Sequence, residues 1–140
     1  MPDVLHSGHG EGPVVVLDAP LSFWGGVHES EGTIIDVHHP QRGAALAGCV
    51  LVMPAGRGSS SSSSVLAELI RNGHAPAAIL LAEADPIVAL GALVAAELYG
   101  RQVPVVVLET EAYAAAAAAG RLAVTASEDE GARVGPPAEP

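Results

Sequence analysis

Residues Gly48–Gly73 read "GCVLVMPAGRGSSSSSSVLAELIRNG". Gly48–Pro54 is a continuous apolar run, the pattern of a strand buried on both faces. After the serines, Val65, Leu66, Leu69 and Ile70 fall at helical spacing, and Arg71-Asn72-Gly73 supplies a C-terminal stop. A buried strand running through a short loop into a helix predicts an α/β fold. The six serines Ser59–Ser64 therefore sit at the strand-to-helix corner, where α/β folds bind ligands.

Working outward, Gly12–Asp18 ("GPVVVLD") predicts a strand, and Thr33–Val37 ("TIIDV") a second short one. The stretch between them holds Phe23-Trp24-Gly25-Gly26, with the only Phe and the only Trp. It reads as a loop that either plugs an open end of the core or meets another surface. Ala77–Ala82 and Val103–Glu109 are further apolar strands. Asp85-Pro86 is an N-cap followed by proline at the first helical position. The helix that follows runs to Tyr99, is apolar nearly all round, and is expected to be deeply buried. An alanine-rich helix closes at Gly120, and Arg121–Ala126 is a last strand. The organisation predicted is a flexible leader over 1–11, one domain over 12–126, and a disordered acidic tail over 127–140.

Composition excludes several functions. The 140 residues carry a formal charge of −10, with 6 arginines and no lysine. Nucleic acid and anionic membrane surfaces both need a basic footprint, so neither is an expected partner. The one cysteine, Cys49, leaves no internal disulfide and no self-contained thiolate metal site. The first residues have neither the basic flank nor the apolar run of a secretory signal, and "PIVALGALVAAELYG" is too short for a bilayer. The chain reads as cytoplasmic.

The corner itself has two readings. Gly56 and Gly58 let the backbone turn sharply, the helix start offers unpaired N–H groups and a positive dipole end, and Arg57 adds a forked cation. Together these make an anion pocket, with the serines as helix caps and hydroxyl donors. The Gly-Lys-Ser/Thr element of a Walker loop is absent. The other reading is a low-complexity loop with a helix cap. His38 and His39 are adjacent and so do not chelate together on a strand; a turn before Pro40 suits His39.

"PLSFWGGV", "HHPQRGAALAGCVLVMPAGRGSS" and "VLAELIRNGHAPAAILLAEADPIVALGALVAAELYGRQVPVV" together resemble the small subunit, or swivelling domain, of the aconitase X family, over roughly 12–107. The serine-only loop departs from that family's usual Gly-Ser-Ser/Thr-x-Gly-Ser. The resemblance implies a swivelling β/β/α domain docking on a larger catalytic subunit. It implies a hydro-lyase that dehydrates cis-3-hydroxy-L-proline to a pyrroline-2-carboxylate, or alternatively mevalonate 5-phosphate. It implies an iron or iron–sulfur centre on the large subunit and no cofactor in this chain. By position, Ser59 is the proton acceptor, and Arg57, Gly58, Ser60 and His39 are the candidate substrate contacts. Alanine-rich, lysine-free usage suits a GC-rich bacterium and so the proline substrate. A reading of another class is a non-catalytic anion-binding or regulatory module.

Overall fold

The computed structural model describes residues 3–56 and 60–137. A seven-stranded sheet is built from β1 (Asp3–His6), β2 (Gly8–Val16), β3 (Val50–Met53), β4 (Ala78–Leu81), β5 (Val105–Val107), β6 (Arg121–Ser127) and β7 (Gly131–Gly135). Its order is β1-β5-β4-β3-β2-β6-β7. The central strands β2, β3, β4 and β5 are parallel, and β1, β6 and β7 join antiparallel. The sheet curls until β1 approaches β6 and β7.

Alternation along the apolar strands explains why these runs are continuous. In β3, Leu51 and Met53 face one apolar cluster while Val50 and Val52 face the other. In β4, Ile79 and Leu81 divide from Ala78 and Leu80 in the same way. A strand covered on both faces needs apolar residues at every position. The first cluster is covered by α1 (Phe23–Gly26), α2 (Ser61–Asn72) and α3 (Pro86–Tyr99), the second by α4 (Thr110–Ala118). α1 is a single turn broken at Trp24 and Gly25. α2 ends at Gly73, whose left-handed backbone (φ 82°) carries its N–H back to the Ile70 and Leu69 carbonyls.

The α/β class and the strands and helices from Gly48 to Ala118 follow the sequence reading, and four expectations need correction. The expected flexible leader is structured: Asp3–His6 pairs with β5, and Gly8–Gly12 is half of β2, hydrogen-bonded to β6. The expected disordered tail contains β7, paired with β6 along its whole length. Both segments are polar and glycine-rich, and each acquires strand structure from a partner distant in sequence. Thr33–Val37 forms only isolated bridges, Val27 to Ile34 and Thr33 to Ala45. Finally, α3 is not buried all round. Val88, Gly91, Ala92 and Ala95 face inward, while Leu90, Leu93, Leu98 and Tyr99 stand exposed. The helix lies outside the sheet against α2, so only one face is covered.

Candidate functional site

Gly56 leaves β3 at its carboxyl end, and Ser60 is the residue at which α2 begins. The proposed base Ser59, with Arg57 and Gly58, lies outside the described residues. Their flanks are well defined. Gly56 forms a parallel bridge with Leu21, which brings the segment 21–26 alongside the corner. On the other side stands Asp85, the N-cap of α3. Its Oδ1 accepts from Ile87 N (2.8 Å) and Val88 N (3.2 Å), as the Asp-Pro pair predicts.

The serine run is not a linker, since four of the six belong to α2. Ser62 and Ser63 are buried and engaged. Ser63 Oγ donates to Ser60 O (2.6 Å). Ser62 Oγ accepts from Trp24 N (3.1 Å) and lies 3.3 Å from Ser22 Oγ. The expected side-chain cap is missing: Ser60 starts the helix without a capping bond from its hydroxyl. Ser60 and Ser61 face solvent at the corner. Within the run, Ser62 and Ser63 are buried and serve the fold, while Ser60, Ser61 and Ser64 are exposed.

His39 is buried in a turn. Its Nδ1 accepts from Gln41 N (3.0 Å), so the proton sits on Nε2, which faces Ala19 O at 3.2 Å. Beside it, Asp18 N donates to Gln41 Oε1 (3.1 Å) and Gln41 Nε2 donates to Asp18 Oδ2 (2.6 Å). These bonds tie the chain leaving β2 to the turn at Pro40. His39 is thereby committed, through both ring nitrogens, to holding this wall of the fold.

Among the described residues no three His, Cys, Asp or Glu side chains gather closely enough to hold an ion. Cys49 is buried, and desolvation pushes its thiol up to about 12. A ligand thiolate needs the opposite shift. Among the described residues no helix is long and apolar enough to cross a membrane.

Ser22 and Ser62 were missed by sequence reasoning. Nothing local signals that two serines 40 positions apart meet across the corner.

The structure defines an α/β domain with a serine-rich corner at the carboxyl edge of a parallel strand. The chain belongs to the aconitase X swivel domain family, which it matches over residues 2–132. It is 51% identical over 108 residues to the cis-3-hydroxy-L-proline dehydratase of Pseudomonas aeruginosa, covering 77% of this chain and 19% of that one. It is 46% identical over 92 residues to the phosphomevalonate dehydratase small subunit of Methanothermobacter thermautotrophicus, covering 66% and 70%. The chain therefore spans about a fifth of the length of the first relative. The crystal structure of Thermococcus kodakaraensis aconitase X in its holo form superposes with a TM-score of 0.75 at 34% identity, over 94% of this chain and 92% of that one.

Proposed function

We propose that this chain is the smaller part of an aconitase X-type hydro-lyase, active only with a large subunit, and that it supplies the base. The observation that carries this reading is the serine run at the corner between β3 and α2, in a chain that belongs to the aconitase X swivel domain family. Ser62 and Ser63 are spent on the fold, which removes them as candidates for the base and leaves Ser59, the position the family resemblance indicates.

The favoured reaction is dehydration of cis-3-hydroxy-L-proline. Ser59, as alkoxide, takes the proton from the carbon bearing the carboxylate. The electron pair forms the new double bond as the C3–O bond breaks, and the departing hydroxide leaves as water once protonated. The enamine then tautomerises to a pyrroline-2-carboxylate. A serine hydroxyl is a poor base and needs a strongly positive surrounding to ionise. The start of α2, the backbone N–H groups of the corner and the Arg57 guanidinium are assigned that task, along with Gly58 and Ser60 as contacts for the substrate carboxylate. Among the described residues no ligand set for iron gathers, and we assign the iron or iron–sulfur centre implied by the family, and the acid that assists hydroxide, to the large subunit.

Mevalonate 5-phosphate is the second reading. It is favoured by the relatives carried as separate small subunits, which are phosphomevalonate dehydratases. Both substrates lose a proton next to a carboxylate and a hydroxyl one carbon further on, so one corner serves either. The test is to assay this chain alone, the large polypeptide alone and the two together, on each substrate. Dehydration by the pair only, of the proline derivative, is expected. An assembled pair inactive on both substrates would leave a non-catalytic anion-binding module.

A further inference from the structure

The segment Ser22–Gly26 is held by a closed ring of hydrogen bonds. Ser22 Oγ donates to Trp24 O at 2.9 Å. With that proton so placed, Ser62 Oγ donates to Ser22 Oγ (3.3 Å) and accepts from Trp24 N (3.1 Å). The ring separates the two aromatics. Phe23 is buried in the core, whereas Trp24 is 60% exposed. Ile35 N donates to Gly26 O (2.9 Å) and Val27 bridges to Ile34, so the segment 34–37 runs beside 24–27. That segment carries Ile35, 45% exposed, and Val37, 63% exposed. Three large apolar side chains thus stand on backbone fixed next to the serine corner. A rigid aromatic flanked by aliphatics is the composition of a protein-binding hot spot.

We propose that this rim is the docking surface for the large polypeptide of the same dehydratase, with Trp24 as an anchor entering an apolar pocket there. The proposal rests on the functional reading above and specifies where its partner sits. The matched segment is 19% of the Pseudomonas aeruginosa enzyme, so about four fifths of that polypeptide lies outside it and is the partner this surface would meet. The rim also borders the corner whose chemistry needs a second half. The other exposed apolar face, Leu90, Leu93, Leu98 and Tyr99, runs down α3 away from the corner, about 20 Å along a helix of this length.

Trp24 is the only tryptophan, so the chain labelled with 5-fluorotryptophan gives one fluorine resonance. The probe is the unlabelled polypeptide, from the same organism, that matches the rest of the Pseudomonas aeruginosa enzyme. Its addition should shift the resonance saturably. Trp24→Ala and Ile35→Ser should each weaken assembly, measured by sedimentation, by about tenfold or more, without changing the melting of the isolated chain. The proposal is overturned if the resonance stays put while the complex forms. It is equally overturned if Leu93→Ser breaks the complex and Trp24→Ala does not, or if the resonance moves on self-association alone. A complex that depends on Trp24 yet dehydrates neither substrate removes the functional reading and keeps the surface. Dehydration by a complex indifferent to Trp24 does the reverse.

Discussion

Gly56→Ala tests how the corner is held in place. A methyl group there would overlap Asp85 Oδ2 and come within 3.0 Å of Val88 Cγ2. Asp85 cannot swing aside freely, because its Oδ1 caps α3 through Ile87 N and Val88 N. Relief by moving Asp85 sacrifices that cap, about 1 kcal/mol. Relief by moving the backbone resembles overpacking, about 1–3 kcal/mol. Whichever route the chain takes, the loss is roughly 1–3 kcal/mol. At roughly 3–5 °C per kcal/mol for a chain of this size, the midpoint should fall by roughly 3–15 °C. The assay is a cycle of Gly56→Ala, Asp85→Ala and the double variant, each unfolded by urea and by heat. Asp85→Ala alone should cost about 1 kcal/mol and also clears the space the new methyl needs. The double variant should therefore be more stable than additivity predicts, by about 1 kcal/mol. Strict additivity, or a Gly56→Ala protein as stable as the wild type, would refute the packing argument.

Two further variants probe the core beneath the site. Gly91 lets α3 lie against α2: a Cβ would sit 3.0 Å from Leu66 Cβ, Leu66 Cδ2 and Ser63 O. Ser63 O is backbone and cannot yield, so Gly91→Ala should destabilise by about 1–3 kcal/mol in urea despite its better helix propensity. For Cys49, the folded thiol is pushed from 9.0 to about 12 by burial. The unfolded thiol ionises first, so its contribution to stability is complete below pH 9.0 and is lost as pH rises towards 12. The slope in that window should be up to about 1.4 kcal/mol per pH unit, and Cys49→Ala should flatten it in alkaline unfolding curves.

What the sequence discloses depends on where the stabilising contacts come from. Val50–Met53 and Ala78–Leu81 are legible because burial on both faces writes itself as an unbroken apolar run. Asp85-Pro86 is legible because capping is local. Gly8–Gly12 is not, because its strand character is conferred by Leu122–Ala126, more than a hundred residues away. The outward leucines of α3 are equally silent, since an apolar helix does not announce which side lacks a neighbour. At the site, the corner could be placed from the strand–loop–helix pattern alone. The ring joining Ser22, Trp24 and Ser62 could not, because it is a tertiary contact between ordinary residues.

The most direct measurement is the turnover of the assembled pair with Ser59→Ala, alongside Ser60→Ala as a neighbour control. The account predicts that Ser59→Ala lowers kcat by about a hundredfold or more, leaving KM, assembly and melting unchanged, while Ser60→Ala acts mainly on KM. A Ser59→Ala pair that dehydrates its substrate at the wild-type rate would contradict it.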